Sequence, residues 1–231
     1  MNRQVALDVL GDLSTGPSLG TPSAPRARYA NAKDVEDKLR ILSGLIARDR
    51  EDPSIDMALG KALGARSGDR WTVPEHDDMG EVRAIYKYVR DNVRYTGDAH
   101  KLDTFRRPAR TLQLRIGDCD DAAALVGAMA SAAGFEQGLR VVRTGDSDDF
   151  NHVYNVVGLP RTAPQRWVPV DATMNRGVGW EVAGPSVQET RTFLAEGRGA
   201  IREISGITDG NRWLVWAAVL VGGSWMLGKL K

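Results

Sequence analysis

From Ala122 to Ala133 the chain carries no charge, and alanine, leucine, valine and methionine fill almost every position. A helix over Cys119–Ala133 therefore has no polar face, and such a helix is stable only when other elements surround it. The preceding segments supply candidates. Val35, Leu39, Leu42 and Ile46 recur at helical spacing within 31–48, and Pro53 opens a second helical stretch through Ile55, Met57, Leu59 and Leu63. Val82, Ile85, Tyr86 and Val89 mark one face of a third helix over 81–93. After Gly134 and Gly138 the period becomes extended, with strands predicted over 139–143, 152–157 and 166–170 and turn chemistry between them. Helices followed by a run of strands predict an α+β fold, with the cysteine-bearing helix packed on an antiparallel sheet. Val187–Leu194 reads as a further short helix. Four segments result: an extended Gly/Pro-rich arm over 1–30, a helical lead-in over 31–74, the main domain over 75–210 and an apolar segment over 211–231.

The buried helix begins with the chain's single cysteine, in Gly117-Asp118-Cys119-Asp120-Asp121. One cysteine excludes an internal disulfide framework and a thiol-only zinc site. At a helix start, however, unpaired N–H groups and the positive dipole end stabilise a thiolate, and the same N–H groups can hold an oxyanion. Asp118 fits the N-cap and Asp121 the first turn. Their charges oppose a thiolate, so an imidazolium partner is needed. In other settings a lone cysteine at such a place is a small buried hydrophobe.

His152, at the start of one predicted strand, and Asp171, just after the next, complete a candidate set. In thiol acyl transfer the sulfur attacks, the imidazole takes and returns the proton, and the carboxylate orients the imidazole. If the two strands are antiparallel neighbours, His152 and Asp171 come within hydrogen-bond reach. Each residue alone has a duller reading, a strand histidine and a turn aspartate.

The joint order carries a resemblance. A helix ending in Val93-Arg94-Tyr95, the Gly117–Asp121 motif, His152-Val153-Tyr154 and Asp171-Ala172-Thr173 together resemble the transglutaminase-like cysteine-enzyme superfamily, over roughly 95 residues from Asp78 to Thr173. The resemblance implies a papain-like core with Cys119 as nucleophile, His152 as base and Asp171 as orienting acid. It implies a thiol-dependent amide hydrolase or acyl transferase with no cofactor. Members also include catalytically dead scaffolds, so a structural protein of the same fold is the alternative. Many members place an aromatic or amide side chain upstream of the cysteine to help hold the oxyanion, and Gln113, six residues before Cys119, is the candidate. The lead-in motif Asp52-Pro53-Ser54-Ile55-Asp56 is similar to versions in tailed-phage and prophage virion genes. On that likeness the expected setting is a virion or the cytoplasm, the substrate a peptide or peptidoglycan, and the partners virion proteins or further copies of the chain.

Other features narrow the reading. Lys and Arg number 31 against 30 Asp and Glu, a net charge of +1, which argues against a nucleic-acid-coating surface. Only three histidines are present, and no metal site is expected; His76 reads as part of a solvated acidic loop. Asp146, Asp148 and Asp149 read as a polar hairpin tip, and Arg106, Arg107 and Arg110 as a solvated basic face. The start of the chain does not read as a secretory signal. From Trp213 to Gly228 no charge occurs. A helix there spans about 24 Å, short of the ~30 Å hydrocarbon core. Trp213, Trp216 and Trp225 resemble interfacial anchors, so the segment is read as a contact with a partner or a membrane.

Overall fold

In a computed structural model, which describes residues 3–8, 28–64, 72–97, 103–197 and 199–205, the uncharged helix is the axis of the molecule. In chain order the elements are β1 (Arg3–Asp8), β2 (Arg28–Ala32), α1 (Val35–Asp49), α2 (Pro53–Leu63), α3 (Asp78–Asn92), β3 (Arg94–Tyr95), β4 (Asp103–Arg106) and α4 (Pro108–Leu114). They continue with β5 (Ile116–Gly117), α5 (Cys119–Ala132), β6 (Gln137–Thr144), β7 (His152–Leu159), β8 (Arg166–Val170), β9 (Val187–Gly197) and β10 (Ala200–Glu203).

Every residue of α5 from Asp121 to Ala130 is buried. The small alanine side chains let neighbours approach on all sides: α1, α2, α3 and α4 pack around α5, and β6 and β7 lie against it. Gly127 shows how close this is, since a Cβ there would lie 2.7 Å from Ile46 Cδ1 of α1. Leu125 and Met129 are wholly enclosed. Burial of each such side chain contributes about 1.5–3 kcal/mol, and this apolar burial adds to the high helix propensity of the alanines in α5.

The main sheet has five antiparallel strands in the order β10-β9-β6-β7-β8. The strands read from sequence are β6, β7 and β8. Val187–Leu194, expected as a helix, is instead part of β9 and pairs with β6 along most of its length. Its side chains follow a two-residue rhythm with β-branched Val187, Thr190 and Thr192, and pairing with a central strand overrides the weak helical spacing. The 1–30 arm contributes β1 and part of β2, which join β4 in a three-stranded sheet of order β2-β1-β4. The C-terminal segment, with Trp213, Trp216 and Trp225, lies outside the described residues. Among the described residues no helix is long and apolar enough to cross a membrane.

The helix starts follow capping chemistry. Asp34 caps α1, accepting from Asp37 N at 2.9 Å. Asp52 caps α2, accepting from Ser54 N at 2.9 Å and Ser54 Oγ at 2.6 Å, with Pro53 in the first turn. Two of the arginines expected on a solvated face, Arg106 and Arg107, are anchors instead. Asp49, wholly buried at the end of α1, accepts from Arg107 Nε at 2.9 Å and Nη2 at 2.7 Å, and its other oxygen accepts from Ala109 N at 3.0 Å. A carboxylate with no access to water needs such partners, and this set ties α1 to the start of α4.

Candidate active site

The Gly117–Asp121 motif resolves into separate physical jobs. Asp118 is the N-cap of α5, and its side chain accepts from Asp121 N at 3.3 Å. Asp121 is wholly buried; it accepts from Arg106 N at 2.8 Å and pairs with the Arg106 guanidinium, which fixes the helix start against β4. Gly117 must lack a side chain, because a Cβ there would lie 2.6 Å from Asp121 Cβ. Asp120 is the aspartate nearest the sulfur: Cys119 Sγ donates to Asp120 Oδ1 at 4.0 Å.

These neighbours decide the state of the thiol. Burial pushes the Cys119 thiol well above its ordinary range, and the negative charges of Asp120 and Asp118 push it further. The backbone N–H groups of Val153 and Asp120 pull the other way and do not prevail. The resting group is therefore a neutral thiol. The helix-start effect expected from sequence is present but outweighed by burial and like charge.

His152 stands at the first position of β7 and Asp171 one residue beyond β8. Because β7 and β8 are antiparallel neighbours, His152 Nε2 and Asp171 Oδ2 lie 2.7 Å apart. The other carboxylate oxygen of Asp171 accepts from Thr173 N at 3.0 Å and Thr173 Oγ1 at 2.6 Å. Burial alone would raise the Asp171 carboxyl; the bonds from His152 and Thr173 overcome this and hold it below its ordinary value. Arg90 of α3 then braces the turn, its Nη1 donating to Ala172 O at 3.4 Å and Thr173 O at 3.1 Å. The imidazole also lies against Tyr154, with ring centroids 5.6 Å apart.

Cys119 and His152 both line one cavity of about 280 Å³. Among the described residues no hydrogen bond joins them; the sulfur's side-chain partner is Asp120. In ligand-free enzymes such bonds are often long and tighten only when substrate arrives. With Nε2 engaged by Asp171, Nδ1 is the nitrogen left to exchange a proton with the thiol.

The structure does not bring Gln113 to this site. Gln113 lies on α4, accepts from Arg110 Nη1 at 2.6 Å, and lines a separate cavity of about 220 Å³ between α2, α3 and α4. The reason is the turn between α4 and β5, where Arg115 takes a left-handed conformation at φ 58°. Counting six residues back from Cys119 takes no account of that reversal.

Tyr95 is the nearby aromatic that sequence reasoning did not single out as a site residue. It pairs with Gly117 through the parallel β3–β5 ladder, two residues before Cys119. With Asp118 and Thr173 it lines a cavity of about 30 Å³, the size of one water molecule. Burial raises its phenol pKa first, and the charges of Cys119, Asp118, Asp120 and Asp171 raise it further. The residue is 59% exposed, so water screens these influences. Its only sequence signal was its place in Val93-Arg94-Tyr95; the ladder that aims it is non-local. Thr173 was easier to find, because an aspartate accepting from the backbone two residues on is an Asx-turn. Among the described residues no group of three or more His, Cys, Asp or Glu side chains is placed to hold a metal ion.

A buried helix opened by a cysteine thus stands beside a His–Asp pair on adjoining antiparallel strands. Residues 66–172 match the family described as the transglutaminase-like superfamily. No curated protein matches the chain. Among solved structures, a candidate protease from Parabacteroides distasonis is similar at 15% identity and a TM-score of 0.43, over 83% of this chain and 35% of that one. A candidate cysteine protease from Cytophaga hutchinsonii is similar at 14% identity and a TM-score of 0.37, over 70% of this chain and 55% of that one. Rad4–Rad23 crosslinked to undamaged DNA is similar at 10% identity and a TM-score of 0.45, over 76% of this chain and 50% of that one. The chain thus spans between about a third and just over half of these three structures, and likenesses this distant carry no argument of their own.

Proposed function

We propose that the protein is a thiol-dependent amide hydrolase or acyl transferase, with Cys119 as nucleophile, His152 as general base and Asp171 as the residue that orients the base. The observation that carries this reading is the 2.7 Å His152–Asp171 pair at the edge of the cavity that Cys119 lines. In the proposed reaction the thiol proton passes to His152 Nδ1 as Sγ bonds to the carbonyl carbon. The tetrahedral oxyanion is met by the backbone N–H of Cys119 at the start of α5, with the Tyr95 hydroxyl as a second donor. Collapse breaks the C–N bond, and the imidazolium returns its proton to the departing amine. Water, or an acceptor amine, then takes the acyl group from sulfur. Burial and the neighbouring carboxylates favour the thiol over the thiolate, so in this reading proton transfer to His152 accompanies attack.

The substrate class is a peptide amide. The narrower setting, a virion enzyme acting on peptidoglycan stem peptides, rests on the resemblance of residues 52–56. Asp52-Pro53-Ser54 is a helix cap of a kind any helix can use. It adds no weight to that setting. The test is to incubate the purified protein and Cys119→Ala with casein and with peptidoglycan and to follow released amines. Release by the parent alone is expected; equal release by both, or none by either, overturns the reading.

The neutral thiol, without a hydrogen bond to His152, favours a second reading, a non-catalytic scaffold that binds neighbours through its apolar C-terminal segment. In that case Cys119→Ala is silent and deletion of residues 213–231 abolishes assembly. The opposite pattern excludes it.

A further inference from the structure

The cavity beside Cys119 has a wall that the family match does not include. α1 precedes residue 66, yet Val35, Lys38, Leu39 and Leu42 line the cavity together with Cys119 and His152. The facing wall is the β6–β7 connection, with Asp149 and Phe150. At about 280 Å³ the space is at or below the lower end of pockets that enclose a whole small ligand, roughly 300–1,000 Å³. It suits one large side chain of a longer substrate whose backbone continues outside.

The lining sorts by depth. Leu39 and Leu42 are each 1% exposed and form an apolar floor, while Val35 and Phe150 are half-buried and flank the opening. The charged rim has Asp120 and Asp149 against Lys38, so an anionic side chain would enter an environment already biased to negative charge. The α1 wall is also held firmly. Its Glu36 accepts from Arg191 Nη2 of β9 at 3.0 Å, and its Ser43 hydroxyl donates to Ala200 O of β10 at 3.1 Å. At its far end, Asp49 is bound by Arg107. A wall fixed along its length presents a pocket of set size to an incoming group.

We propose that this cavity is the subsite for the substrate side chain next to the scissile amide, that it selects an apolar side chain over an anionic one, and that α1 sets the size accepted. The proposal rests on the thiol-nucleophile reading above and names its substrate class.

The test uses the full chain and a set of N-acetyl-aminoacyl chloromethyl ketones carrying glycine, leucine, phenylalanine or aspartate side chains. In each, a bond forms between Sγ and the methylene carbon as the carbon–chlorine bond breaks, releasing chloride and a proton. Adducts at Cys119 are counted by mass spectrometry, beside iodoacetamide, which needs no pocket. The leucine and phenylalanine reagents are expected to react at least about tenfold faster than glycine, and aspartate more slowly than glycine. Val35→Trp, which fills the opening, is expected to abolish the advantage of leucine and phenylalanine when each rate is taken relative to iodoacetamide labelling of the same variant. Phe150→Ala, which widens the facing wall, is expected to favour phenylalanine over leucine. Equal rates across the side chains with normal iodoacetamide labelling overturn the subsite proposal alone, as does a preference that survives both variants. Failure of iodoacetamide itself to label Cys119 at alkaline pH overturns the nucleophile reading and this proposal with it.

Discussion

The two halves of the site are built by different rules and stand in different states. The Cys119 half is local: a cap, a glycine without room for a side chain and a buried aspartate anchor lie within Gly117–Asp121. The His152–Asp171 half is non-local, made by the register of two antiparallel strands. Electrostatics separates them again. Asp171 is held ionised by the bonds it accepts, so it is ready to orient the imidazole at neutral pH. The thiol is held protonated by burial and its neighbouring carboxylates, so the nucleophile is not. Under the proposed mechanism, the contrast means that the base is set in advance while the sulfur waits for a substrate to displace water and align the proton transfer.

The most drastic way to break this asymmetry is to remove the sulfur. Cys119→Ala is expected to lower kcat by about a thousandfold or more if the protein is an enzyme, with an unchanged thermal midpoint showing that the fold survives. Asp171→Asn attacks the other half. It keeps the shape and leaves the imidazole without its carboxylate, and a loss of about a hundred- to ten-thousandfold in kcat is expected. Alkylation of Cys119 by iodoacetamide at alkaline pH should hardly change, because there hydroxide rather than His152 removes the thiol proton.

Thr173→Val is a finer probe. It removes the hydroxyl bond to Asp171, so the carboxyl pKa rises towards its ordinary value. Activity depends on ionised Asp171 and is lost as pH falls through that pKa, so the acid limb of the pH–rate profile should move to higher pH. A fall in kcat of about tenfold is expected, and Thr173→Ser should restore both the rate and the limb. The smallest effect sharpens the thiol side. Asp120→Asn removes one of the charges that raise the Cys119 pKa, and iodoacetamide labelling at neutral pH should quicken by about three- to tenfold. An unchanged rate would mean that burial alone keeps the thiol neutral.

The same division between local and non-local explains what could be read from the residues. The α5 helix, its cap and its buried character follow from an uncharged alanine-rich run behind an aspartate, and β6 to β8 follow from extended patterning. The β9 strand could not be read this way, since Val187–Gly197 becomes a strand by pairing with β6, a partner separated from it in the chain by β7 and β8. Gln113 was misplaced because a left-handed residue at Arg115 reverses the chain inside an apparently simple spacing. Tyr95 gave no clear signal because only a two-residue parallel ladder, joining segments more than twenty positions apart in the chain, brings it to Gly117.

The anchoring of α1 and the centrality of β9 bear on how this protein should be cut for study. A fragment spanning only residues 66–172 would keep Cys119, His152 and Asp171 and look complete by its motifs. It would lose the helix that walls the cavity, uncover the face of α5 on which Ile46 packs at Gly127, and strip β6 of its neighbour, leaving a raw strand edge open to association with other chains. The stretch that identifies the domain is thus smaller than the stretch that must fold together, and expression boundaries should reach at least from β2 to β10.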